Sequence, residues 1–86
     1  LKGHTNWVFA ASFNGNSTRV VTGSEDNTAK IWDVSTGAEL LTISGHWSGV
    51  TSAAFSPDDT RILTASADGT AKIWDAGPVP PPAKPK

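Results

Sequence analysis

Apolar residues along this chain come in short bursts, each closed by Gly, Asn, Asp, Ser or Pro, and none keeps the spacing of an amphipathic helix. Val8, Ala11 and Phe13 are spaced three and then two apart, as in a strand with one bulged residue. "RVVTGS" (Arg19 to Ser24) sets β-branched residues on one alternation and small ones on the other, which predicts a strand buried on both faces. "TAKIWD" (Thr28 to Asp33) and "AELLTI" (Ala38 to Ile43) predict a third and a fourth strand. Turn chemistry separates them: "NGNS" after the first strand, Asp26-Asn27 as a two-residue hairpin turn with positive φ at Asn, and "VSTG" before the fourth.

The same series then starts again. Shifting the chain by 42 residues aligns Leu1 to Asp33 with Ile43 to Asp75 without a gap, and 16 of the 33 positions are identical, an agreement that chance does not produce. Gly3 and His4 recur as Gly45 and His46, Val8 as Val50, Ala11 as Ala53 and Phe13 as Phe55. "TAKIWD" returns unchanged at Thr70 to Asp75. "SPDD" replaces "NGNS", "RILTAS" replaces "RVVTGS" with both faces again expected to be buried, and Asp68-Gly69 replaces Asp26-Asn27.

A period of 42 with "GH" near its start and "WD" near its end resembles the WD-repeat β-propellers, in which each repeat builds one four-stranded antiparallel blade. The resemblance runs from Leu1 to Asp75 and implies an all-β fold of two blades. Residues 1–43 form the first repeat, 44–76 an incomplete second, and 77–86 a tail. It also implies a buried hydrogen-bonded set in each blade: His4, Thr22, Asp26 and Trp32, then His46, Thr64, Asp68 and Trp74. Ser24 and Ser66, on the same strand face, are the less favoured hydroxyl members. An indole N–H buried without an acceptor is costly, and a linked imidazole and carboxylate satisfy several such groups at once.

A histidine, a hydroxyl and a carboxylate together suggest nucleophilic catalysis, but the set occurs in both repeats, its threonines lack the terminal amine of threonine nucleophiles, and no cleft-forming segment accompanies it. No catalytic residue, cofactor or metal is therefore expected. His4 and His46 are 42 residues apart in a chain without cysteine, which is not ligand spacing. The formal net charge of −1, from seven Lys or Arg against eight Asp or Glu, leaves no basic surplus for nucleic acid or an anionic membrane. Arg19, Arg61, Lys30 and Lys72 recur in register and read as solvated charges. Apolar runs are too short for a membrane-spanning helix and no signal peptide is visible, so the reading places the chain in the cytoplasm.

Function then falls to the surface. In propellers of the resembled family, the residues three and five after the His and the one before the turn Asp lie on the upper face that receives peptides and proteins. These are Trp7, Phe9 and Glu25 in the first repeat, and Gly49, Thr51 and Ala67 in the second. Only the first repeat carries aromatic anchors there, so Trp7 and Phe9 are the leading contact patch for a protein or peptide partner. The competing reading packs one or both rings against the next blade. Trp47 either caps the junction between blades or adds a second adhesive point.

Two blades cannot close a propeller, and the second lacks a plausible fourth strand because "AGPVPPPAKPK" is unfit to pair. That tail reads as a polyproline II linker, or as an SH3-type ligand through its PxxP spacings with Lys84 and Lys86 nearby. The chain is expected to belong to a larger ring, completed by further blades of a parent chain or by identical copies. Absence of Met and a truncated leading strand favour a piece of a longer chain. The functional expectation is a non-catalytic interaction scaffold. The alternatives are a structural self-assembly module, engineered or recently duplicated, and a regulatory segment of a larger enzyme.

Overall fold

The computed structural model describes residues 3–76, so the proline-rich tail and its linker or ligand reading lie outside the described residues. Among the described residues, seven strands and no helix account for the fold. The first sheet runs β1 (Val8–Phe13), β2 (Arg19–Ser24), β3 (Thr28–Asp33) and β4 (Glu39–Ser44), antiparallel and in sequence order. β5 (Val50–Phe55), β6 (Arg61–Ser66) and β7 (Ala71–Asp75) form the second sheet in the same order, with no fourth strand among the described residues. The bulge expected from the apolar spacing is present twice: register shifts between Val8 and Ala10, and between Val50 and Ser52. The extra residue turns Ala11 and Phe13, and likewise Ala53 and Phe55, onto the required face.

The hairpin turns differ from the two-residue expectation. Asn27 N–H donates to Ser24 O at 3.2 Å, and Asn27 itself has φ 74°. The loop is thus three residues long, a turn centred on Glu25 and Asp26 followed by one left-handed residue. This connection suits twisted strands as well as the shorter one. Gly69, with φ 89° and its N–H on Ser66 O at 3.1 Å, repeats it. After β1 and β5 the left-handed positions fall on Ser17 and Asp59.

One device recurs at these turns. Asp26 accepts from the backbone and hydroxyl of Thr28, Asp68 from Thr70, Asp58 from Thr60, Asp33 from Ser35 and Asn16 from Thr18. An acidic or amide side chain reaching two residues ahead substitutes for the missing ladder bonds of a reversal.

The core lies between the sheets. Val21, Ala29, Ile31 and Ile43 on one face of the first blade pack with Val50, Ala53 and Ile62 of the second, with Leu41, Phe55 and Trp74 at the margin. A Cβ on Gly23 would stand 2.7 Å from Val50 Cγ1 and 3.0 Å from Val50 O, so the blades approach as closely as a glycine allows. Gly15 N–H also donates to Asp59 Oδ1 at 3.0 Å, tying the two lower turns together.

Burial corrects two expectations. β2 is buried on both faces, but in β6 Leu63 is half exposed and only Ile62 and Thr64 are buried, because no sheet covers the far side of the second blade among the described residues. Arg19 and Lys30 are buried rather than solvated; Lys30 Nζ reaches Glu39 Oε1 at 3.0 Å and Thr42 Oγ1 at 2.9 Å across the β3–β4 pair. Lys72 donates instead to Gly45 O at 2.9 Å.

Candidate functional site

Two sites deserve separation: a buried relay within each blade and an upper surface above them. In the first blade His4, ahead of β1, reaches Asp26 at the β2–β3 turn through Nδ1 at 2.8 Å, and Thr22 on β2 through Nε2 at 2.6 Å. Trp32 Nε1–H, on β3, donates to the same Thr22 oxygen at 2.8 Å. Thr22 has one proton to give; its other acceptor, Lys30 O, is 3.5 Å away. The bookkeeping therefore assigns that proton to His4 Nε2 and a proton on Nδ1 facing Asp26. The second blade repeats the relay with His46 on Asp68 at 3.1 Å and on Thr64 at 2.7 Å, and with Trp74 Nε1–H on Thr64 at 2.7 Å. Each histidine also stands edge-on to its tryptophan, with centroids 6.0 Å apart.

Glycine before each histidine is required by this packing. A Cβ on Gly3 would lie 2.8 Å from the Trp32 ring, and one on Gly45 2.7 Å from Trp74. Burial pushes the Asp26 carboxyl up, but hydrogen bonds from Thr28, His4 and the Thr5 backbone outweigh it and hold the group down at about 2. Asp68 is likewise held low, by the Thr70 hydroxyl first and the Trp47 N–H next, against burial. Thr28 and Thr70 belong to the relay and escaped the sequence reading, although the Asp-x-Thr spacing was a signal for them. Ser24 and Ser66 do another job: each hydroxyl donates to a carbonyl ahead of the first strand, Trp7 O at 2.8 Å and Ser48 O at 3.1 Å, and accepts the N–H of the turn Asp. Thr22 is buried, and its oxygen is shared by His4 Nε2 and Trp32 Nε1–H.

Above the relay, the structure brings five of the six surface candidates together through the backbone. Trp7 O accepts from Glu25 N–H at 2.8 Å, and Gly49 O from Ala67 N–H at 3.0 Å. A Cβ on Gly49 would meet Phe9 Cε2 and Glu25 Cα, each at 3.2 Å. Phe9 therefore rests one edge on the second blade while staying half exposed, which realises in part the reading that packs a ring against the neighbour. Gly49 is buried, so it seats Phe9 and is not a contact of its own. Thr51 is exposed, with its hydroxyl on Ala65 O at 3.3 Å. Trp7 is 73% exposed and Trp47 90%, so Trp47 does not cap the junction between the two described blades.

Blades of this geometry define a class of repeat protein, and comparison with known families agrees. The family model described as "WD domain, G-beta repeat" matches residues 1–33 and again 37–75. The chain belongs to this WD40 family. It is similar to protein pleiotropic regulator PRL2 of Arabidopsis thaliana, 46% identical over 44 residues, which are 51% of this chain and 9% of that protein. A probable E3 ubiquitin ligase complex SCF subunit sconB of Talaromyces marneffei is 50% identical over 44 residues, 51% of this chain and 6% of its own. Eukaryotic translation initiation factor 3 subunit I of Schizosaccharomyces pombe is 44% identical over 39 residues, 45% and 12% respectively. The chain thus spans a small part of the relatives it matches.

Proposed function

We propose that the chain is a non-catalytic interaction scaffold whose upper face takes a peptide or protein partner through Trp7 and Phe9, with Glu25 beside them. The observation that carries this reading is a large exposed indole on a fixed backbone: Trp7 O is held by both Glu25 N–H and the Ser24 hydroxyl, each at 2.8 Å. A contact residue whose backbone is already fixed loses less entropy on binding, and aromatic residues dominate interface energetics. The equivalent place in the second blade is Gly49, so the patch is one-sided. Membership of the WD40 family, and relatives named as regulators and as subunits of larger complexes, support protein partners in general.

The test is selection of a phage-displayed random peptide library on the folded chain, followed by titration of the enriched peptides against Trp7→Ala and Phe9→Ala. Loss of binding by at least about tenfold with an unchanged denaturation midpoint is expected. Peptides that bind both variants as well as the parent would place the contact elsewhere.

A further inference from the structure

Among the described large apolar side chains Trp47 is the most exposed, at 90%. Its backbone is nevertheless fixed. Trp47 N–H donates to Asp68 Oδ2 at 2.9 Å, Ser48 O accepts from the Ser66 hydroxyl at 3.1 Å, and Gly49 O accepts from Ala67 N–H at 3.0 Å. The loop held in this way runs from β4 of the first blade to β5 of the second, so both blades that flank it are described. Gly49 follows Trp47 by two residues, no more than about 7 Å of backbone. There it packs against the first blade, where a Cβ would meet Phe9 Cε2 and Glu25 Cα, each at 3.2 Å. Phe9 is half exposed, and Glu25 is exposed with its carboxylate unbonded among the described residues. An ordered loop that keeps a large apolar ring in water, close to a second half-open ring, marks a contact surface.

Charge decides what covers it. The four upper loops, residues 3–7, 25–27, 45–49 and 67–69, contain Glu25, Asp26 and Asp68 and no Lys or Arg. The described cations lie elsewhere or are engaged. Arg19 and Arg61 open β2 and β6 at the lower end, Lys30 is bonded to Glu39 and Thr42, and Lys72 to Gly45 O beside the Trp74 ring. Asp26 and Asp68 commit their oxygens to the relay histidines and to turn N–H groups. Glu25 is thus the carboxylate open to a partner, in a field that its acidic neighbours make more negative.

We propose that Phe9, Glu25 and Trp47 dock a peptide segment that carries an arginine, with its guanidinium on the Glu25 carboxylate beside Phe9 and an adjoining residue of the segment on Trp47. This rests on the contact-face reading above and gives that partner a chemistry. A guanidinium suits the set better than an ammonium: it is planar, stacks on aromatic faces and grips a carboxylate through two parallel N–H groups.

Parallel selection of a phage-displayed random dodecapeptide library on the full chain and on Glu25→Lys tests this. Arginine should be enriched on the parent and depleted on the variant. For an enriched peptide, replacing its arginine by glutamine and changing Glu25→Gln in the chain should each weaken binding about tenfold. The two together should cost little more than either alone, the mark of one shared contact. Lysine in place of that arginine should recover only part of the affinity, and Trp47→Ala should cost about fivefold. Glu25→Gln and Trp47→Ala alter exposed side chains and keep the Trp47 N–H on Asp68, so denaturation midpoints should not move. Enriched peptides without an arginine excess overturn the proposal, as do additive losses in the double substitution or full affinity in Trp47→Ala. Peptides without that excess that still depend on Trp7 would leave the contact face standing and remove only the arginine. A library that yields no binder removes both.

Discussion

The two blades share one relay but not one environment. Trp32 and Trp74 occupy the same hexapeptide, donate to the same threonine position and stand equally far from their histidines, yet Trp32 is 1% exposed and Trp74 only half-buried. β4 accounts for the difference. It pairs with β3 and sets Glu39 beside Trp32, whereas β7 has a bare outer edge among the described residues. The comparison teaches that hydrogen-bond geometry here is written within a repeat, while burial is conferred by what lies next to it.

The strongest way to probe that asymmetry is to delete each indole. Trp32→Ala should cost about 3 to 5 kcal/mol and Trp74→Ala clearly less, because the second ring already faces water on one side. Urea unfolding followed by circular dichroism measures both; equal losses would show that β4 contributes nothing to the difference. Next comes the contact between blades. Gly23→Ala should destabilise by about 1 to 3 kcal/mol, since the added methyl meets Val50 side chain and backbone together.

Acid should act through both blades. The Asp26, Asp58 and Asp68 carboxyls are held below their ordinary range, so the folded chain takes up protons less readily than the unfolded one. Their contribution is complete above the unfolded carboxylate value of about 4 and drains away as pH falls towards about 2. Midpoints should therefore be flat in this respect down to about pH 5 and then decline, with Asp26→Asn and Asp68→Asn each weakening the decline. The smallest effect belongs to Trp7→Ala, which should move stability by less than about 0.5 kcal/mol because the ring is largely in solvent. A larger loss would place Trp7 in the fold and not on the contact face.

Much of this was legible in the letters. The repeat offset and the bulge before Ala11 follow from residue types at fixed spacing, and the family resemblance implies His4, Thr22, Asp26 and Trp32 but not Thr28; each of those features is satisfied inside a single repeat. The turn was read one residue short, since Asp-Asn and Asp-Gly serve equally as the centre of a two-residue loop or the end of a three-residue one. Pattern alone reads Lys30 as a solvated charge because its partner Glu39 sits on the neighbouring strand. Leu63 reads as covered because pattern alone records which residues want burial, not whether a neighbour is there to provide it.

Each relay ends with an indole proton resting on a threonine oxygen inside the sheet. Such a proton can trade places with deuterium only when its own blade comes apart, so the two ring N–H groups are separate clocks for two openings. Trp74, with the uncovered flank, should run the faster one.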